Sequence, residues 1–103
     1  MIEILQTEQY AKWFKSLRDH NARMRINIRI RRLSLGNPGD VKPVGDGISE
    51  LRIDYGPGYR VYCLRRGDEW VLLLIGGDKS SQVRDIAKAK QMAQELAKEP
   101  KGV

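Results

Sequence analysis

Residues 48–77 read ISELRIDYGPGYRVYCLRRGDEWVLLLIGG. Two runs of alternating residues and one continuous apolar run, divided by glycine-containing turns, predict a three-stranded antiparallel meander. Treating Gly56, Pro57 and Gly58 as a three-residue loop sets Tyr55 opposite Tyr59, Ile53 opposite Val61 and Leu51 opposite Cys63, all on one apolar face. The other face then pairs Asp54 with Arg60, Arg52 with Tyr62 and Glu50 with Leu64. A tight turn at Gly67 and Asp68 continues the pattern: Cys63 meets Leu72, Val61 meets Leu74, Tyr62 meets Leu73 and Arg60 meets Ile75. One face is therefore expected to be core. The other carries Arg52, Asp54, Arg60 and Tyr62 on an apolar floor, with Lys79 directly after the third strand, at the end where Arg60 lies.

Upstream, Ile2 to Leu5 predicts a short strand and Thr7 an N-cap for a first helix, in which Tyr10, Phe14 and Leu17 recur at helical spacing. Residues 22–35 alternate well enough to pass for a strand, but their ends favour a helix. Asn21 is a good N-cap, Gly36 and Asn37 suit a left-handed C-terminal cap, and Pro38 stops continuation. As a helix, Ala22, Ile26, Ile30 and Leu33 form one stripe, and Met24, Ile28 and Leu35 a second on nearly the opposite side. Val41 to Val44 reads as an edge strand in which Pro43 discourages further pairing. After Gly76 and Gly77, Asp78 or Ser80 caps a last helix with Val83, Ile86, Ala87, Ala93, Leu96 and Ala97 as its buried stripe, and Pro100 to Val103 reads as a frayed tail. The order β-α-α-β-β-β-β-α favours α+β, with the meander packed against an N-terminal helical hairpin and a C-terminal helix.

A chain of 103 residues fits one domain, residues 1–103. Its one cysteine, Cys63, is expected inward as a small buried residue, which suits a reducing cytoplasm. No charged-then-apolar leader or long apolar run signals export or membrane insertion. Of the net charge of +6, residues 12–32 hold eight basic side chains against Asp19 alone, which is +7, and the remainder is nearly neutral. A positive field concentrated in this way suits a polyanion or an acidic protein partner, although a solvated helix face has the same composition.

One His and one Cys do not assemble a usual zinc set, so no metal or cofactor is expected. His20 falls in a polar turn, far from Ser80 and Ser81, which argues against a Ser-His-Asp arrangement. The chemistry that remains is cationic. Arginine offers a planar, permanently charged fork to a phosphodiester and to a phosphorane-like transition state. Lysine supplies a compact charge and a proton, and Tyr62 is suited to stacking on a base. The same charges also permit plain cross-strand ion pairing, Asp54 with Arg60 and Glu50 with Arg52.

Over nearly its whole length the chain resembles the RelE/ParE superfamily of toxins from bacterial toxin-antitoxin pairs, most closely the HigB-like "addiction module killer" branch. The most specific segments are RIRRLSLGNPGDVKPVGDGISELRIDYGPGYRVY at 29–62 and LLIGGDKSSQ at 73–82. The resemblance implies a RelE-like fold with residues 22–35 helical, and a ribosome-dependent mRNA endoribonuclease that blocks translation. It implies phosphate and transition-state stabilisation by Arg52 and Arg60, and charge stabilisation or proton transfer by Lys79. Tyr62 would then bind RNA by stacking, and Arg23, Arg25, Arg29, Arg31 and Arg32 would face ribosomal RNA. Several characterised members use a histidine or a carboxyl-terminal tyrosine for proton transfer, and this chain has no histidine after His20 and no tyrosine after Tyr62. The resemblance further implies a cytoplasmic protein with a cognate antitoxin, of the helix-turn-helix type, covering the basic groove or docking on a stripe such as Met24, Ile28 and Leu35. Two other functions share this fold and charge: a ParE-like DNA gyrase inhibitor that cleaves nothing, and a non-catalytic nucleic-acid-binding module.

Overall fold

The meander expected over residues 48–77 forms the middle of a five-stranded sheet. The computed structural model describes residues 1–98, in the order β1 (Glu3–Gln6), α1 (Glu8–Ser16), α2 (His20–Ser34), β2 (Val41–Gly45), β3 (Ile48–Ile53), β4 (Tyr59–Arg66), β5 (Trp70–Asp78) and α3 (Gln82–Lys98). A single 3-10 turn, Lys79–Ser81, leads into α3. The sheet order is β1-β5-β4-β3-β2, antiparallel except for the parallel β1–β5 pair. The α+β class and the element order agree with the sequence. The tail at 100–103 lies outside the described residues.

Register departs from the expected one. Ile53 pairs with Tyr59, Arg52 with Arg60, Leu51 with Val61 and Glu50 with Tyr62. The connection is five residues, Asp54 to Gly58, because the chain tightens around Gly56–Pro57, with Tyr55 C=O accepting from Gly58 N–H at 3.1 Å. Every partner therefore moves by two. A slip of two leaves each side chain on its expected face, since the pleat repeats every two residues. The β4–β5 pair is less forgiving. Cys63 pairs with Leu73 rather than Leu72, and a bulge between Tyr62 and Cys63 makes Ile75 the partner of Tyr62. This single-residue offset turns Leu73 into the core with Cys63 and Val61, while Leu72 and Leu74 turn to the opposite side.

That opposite side is a second core, not an open floor. Ile26 and Leu33 of α2 and Tyr10 of α1 pack with Leu51, Ile53, Val61, Cys63 and Leu73 on one face. Ala89, Met92 and Ala93 of α3 pack with Ile48, Tyr62 and Leu74 on the other. The buried stripe of α3 is thus Asp85, Ala89, Met92 and Ala93, with Ile86 partly covered; Val83 and Leu96, expected inside, are exposed. Ala87 and Ala97 also face out. Cys63 is buried as expected, and burial pushes its thiol up to about 12.

Caps set the helix limits. Thr7 Oγ1 accepts from Tyr10 N–H at 3.0 Å, as its N-cap position requires. The N-cap of α2 is Asp19, not Asn21: its Oδ1 accepts from the Asn21 and Ala22 N–H groups. At the other end Gly36, at φ +89°, donates to Leu33 C=O and Asn37 donates to Arg32 C=O, a Schellman closure. The stripe Ala22, Ile26 and Leu33 is buried, while Met24, Ile28 and Leu35 remain exposed.

Arg29 ties α2 to the sheet. Its Nη2 donates to the Pro38 and Asp40 carbonyls at 2.9 Å each, and its Nη1 to the Arg52 carbonyl. Arg29→Ala removes a charged donor from three carbonyls and is expected to cost about 1.5–3 kcal/mol in urea denaturation, whereas Arg31→Ala, on the exposed side, leaves the midpoint unchanged.

Candidate functional site

The five-residue β3–β4 loop and the end of β5 together build a groove. Gly58, at φ +79°, lets the loop return against β5, where a Cβ would stand 3.3 Å from the Lys79 Cβ and 3.4 Å from Arg60 Nη1. The groove, about 360 Å³, is lined by Asp40, Arg52, Ile53, Asp54, Gly56, Pro57, Gly58, Arg60 and Lys79. Arg52, Arg60 and Lys79, separated by up to 27 positions in the chain, therefore share one concavity.

Pairing Arg52 directly across from Arg60 sets two like charges on one rung, which is unfavourable unless an anion lies between them. Glu50 is that anion. It is fully buried, two positions before Arg52 on the same face, and opposite Tyr62. Arg52 Nε donates to Glu50 Oε1 at 3.0 Å, and Arg60 Nε lies 3.9 Å from the same oxygen. Tyr62 Oη donates to Oε2 at 2.9 Å and Gln82 Nε2, from the start of α3, to Oε2 at 2.8 Å. Burial alone would raise the Glu50 pKa, but hydrogen bonds from Arg52, Gln82 and Tyr62 together outweigh it and hold the carboxyl below its usual range. Tyr62 is raised in turn, by burial first and then by its bond to Glu50. The expected Glu50–Arg52 pair is therefore present, while the expected Asp54–Arg60 pair is not among the ion pairs of the described residues.

The cations remain open to a ligand to different degrees. The Arg52 side chain is 33% exposed and that of Arg60 12%, with Arg60 Nη1 donating to the Gly58 and Tyr59 carbonyls. Lys79 is exposed and makes no hydrogen bond or ion pair among the described residues. Tyr62 is corrected: it has no exposed surface, its ring belongs to the α3-side core, and it is not available to stack on a base. Of the helix arginines, Arg25, Arg29 and Arg32 line a hollow that shares Ile53 and Asp54 with the groove. Arg25 lies 4.6 Å over the Tyr55 ring, and Tyr55 Oη donates to Asp19 Oδ2 at 2.8 Å, pinning the loop to the α1–α2 turn. Arg29 is largely engaged by carbonyls. Arg23 contacts His20 Nδ1 at 2.5 Å, and neither Arg23 nor Arg31 lines the groove or the hollow. Gln82 enters the site only through the structure. The sequence signal for it was its place in the first turn after the Asp78 cap, one residue beyond a serine pair, which did not distinguish it from a surface residue.

Among the described residues, no group of three or more His, Cys, Asp or Glu side chains is placed to hold a metal ion, and no helix is long and apolar enough to cross a membrane. Fold and site together define a small α+β protein in which two arginines of the central hairpin and Lys79, from the turn after β5, converge beside a buried carboxylate. The chain belongs to the family of phage-derived Gp49-like proteins (DUF891), which matches residues 12–99. It is 52% identical over 95 residues to an uncharacterized protein of Haemophilus influenzae, covering 92% of this chain and 96% of that one. Its fold is similar to that of a copper-bound mutant toxin from Helicobacter pylori, with a TM-score of 0.57 and 20% identity over 79% of this chain and 98% of that chain.

Proposed function

We propose that this chain is the toxin of a toxin-antitoxin pair and a ribosome-dependent mRNA endoribonuclease, of the HigB-like branch of the RelE/ParE superfamily. The observation that carries the proposal is the convergence of Arg52, Arg60 and Lys79 on one groove. Membership of the Gp49-like family and a fold shared with a toxin support it. In the reaction the ribose 2′-oxygen attacks the adjacent phosphorus and the bond to the 5′-oxygen breaks. The products are a 2′,3′-cyclic phosphate and a 5′-hydroxyl; the proton lost by the 2′-oxygen is balanced by one delivered to the 5′-oxygen. Arg52 and Arg60 take the non-bridging oxygens, whose charge grows in the transition state, and Lys79 serves the leaving oxygen. Arg25 and Arg32, in the adjoining hollow, hold the flanking RNA or ribosomal RNA by its phosphates. The antitoxin, of helix-turn-helix type, docks on the exposed stripe Met24, Ile28 and Leu35, and the pair works in the cytoplasm.

The test is primer extension on a defined message with and without programmed ribosomes. Cuts that need ribosomes are expected, and Lys79→Ala, which breaks no hydrogen bond or ion pair among the described residues, should lower their rate about 100-fold or more. Intact message with unimpaired translation overturns the nuclease and makes DNA gyrase supercoiling the next assay.

A further inference from the structure

We infer that Glu50 is the positioning residue of the groove: an inward carboxylate that fixes the Arg52 and Arg60 guanidinium groups so that their remaining N–H groups face an incoming phosphodiester. The inference rests on the nuclease reading for its catalytic consequence, but its geometric content stands apart from it. Arginine has five N–H donors in a rigid fork. Arg52 gives its Nε–H to Glu50, and among the described residues its Nη1 and Nη2 carry no hydrogen bond. Arg60 spends Nη1 on the Gly58 and Tyr59 carbonyls, while its Nε is buried with no hydrogen-bond partner and lies 3.9 Å from Glu50 Oε1. The outer edge of Arg52 and the Nη2 of Arg60 are thus left for the ligand.

The carboxylate is itself held from three elements. Arg52 reaches it along β3, Tyr62 across from β4 and Gln82 from the head of α3. It touches no solvent, so it neither screens itself with water nor meets substrate. Lying between the two guanidinium groups, it offsets the repulsion of the Arg52–Arg60 rung, and their charge in turn offsets its own. Its loss releases Arg52 Nε and leaves Arg60 held only through Nη1 on the Gly58 and Tyr59 carbonyls, and the cost falls on the step in which phosphate oxygens gain charge.

Glu50→Gln keeps the size of the side chain and removes its charge. With ribosome-dependent cleavage as the readout, it is expected to lower kcat about 10- to 100-fold, as loss of an outer-shell partner does at metal sites, with KM for programmed ribosomes unchanged. In an Arg52→Ala background the same change should cost less, because part of its route to the substrate is already gone. A kcat equal to that of the unsubstituted protein overturns the inference, and so does an equal loss in both backgrounds, which would mark a merely structural role. Side-chain NMR of the arginine Nε–H groups reads the hold directly. The Arg52 signal is expected to exchange slowly in the unsubstituted protein and to broaden or exchange rapidly in Glu50→Gln, with the Arg29 signal unmoved; an unchanged Arg52 signal overturns the inference. If the unsubstituted protein cuts no message, the nuclease reading fails and the NMR result alone decides on Glu50. Should Glu50→Gln not fold, Gln82→Leu removes one donor from Oε2 and leaves the charge; a smaller kcat loss at unchanged KM is then expected, and no loss overturns the inference.

Discussion

Gly76→Ala and Gly77→Ala should each destabilise the protein by about 3 kcal/mol or more. The two glycines lie inside β5, and each is pressed from a different side of the sheet. A Cβ on Gly76 would fall within the indole of Trp13, which crosses the strand from α1. A Cβ on Gly77 would fall on the carboxylate of Asp85, which comes down from α3, and 2.9 Å from Ser81 Oγ. Neither neighbour is the loose end of a flexible side chain in open space. Trp13 is packed against Tyr10 and Tyr59, and Asp85 is buried with Ser81 Oγ donating to it at 2.5 Å. Gly67→Ala is the contrast: nothing lies within 4 Å of its Cβ position, and only its φ of +50° is unfavourable. Its cost should be about 1 kcal/mol. Urea midpoints of the three variants, set beside that of the unsubstituted protein, check the order; a Gly77→Ala midpoint near that of Gly67→Ala would contradict the close approach of α3.

Removing Glu50 altogether should be nearly as damaging. Glu50→Ala leaves Arg52 and Arg60 opposed without an anion and strips the hydroxyl of fully buried Tyr62 of its acceptor. Breaking one side of a buried ion pair costs about 3–5 kcal/mol. The same carboxylate gives the protein an acid limit. Its folded pKa lies below its ordinary value of 4.5, so its contribution is fully present above that value and is lost as pH falls through the folded pKa. Asp19, held low by the Tyr55 hydroxyl, and Asp78, held low by Ser80, act in the same direction. The share that belongs to Glu50 is therefore read as a difference: the stability gap between the unsubstituted protein and Glu50→Gln should be constant near neutrality and shrink below about pH 4. A gap that stays level throughout the acid range would mean that Glu50 does not carry it.

Much of this molecule was legible in the chain. Alternation in ISELRI and YRVYCLRR placed the strands, and Thr7, Gly36 and Pro38 marked helix limits, because caps and pleats are local physics and leave their residues in order along the sequence. The stripe Ala22, Ile26, Ile30 and Leu33 identified the core face of α2 for the same reason. Arg52, Arg60 and Lys79 could be expected on one side and at one end of the sheet without knowing their partners, since the error in the β3–β4 register was an even number of residues.

What the tertiary structure alone decided is who faces whom. Loop length around Gly56–Pro57 chose Arg60 rather than Tyr62 as the partner of Arg52, a three-residue turn at Gly67–Glu69 exchanged the faces of Leu72 and Leu73, and a bulge at Tyr62/Cys63 then set Ile75 opposite Tyr62. None of these events has a strong local signature, because a bulge or a longer turn costs little and is selected by the packing on both faces at once. The second core under α3 then turned Tyr62 from an expected surface ring into a buried one, and Glu50 from one of several charges into the shared anion of the groove. A charge pattern fixes what a side chain carries; only the layer packed over it determines whether that charge meets water, a substrate or another side chain.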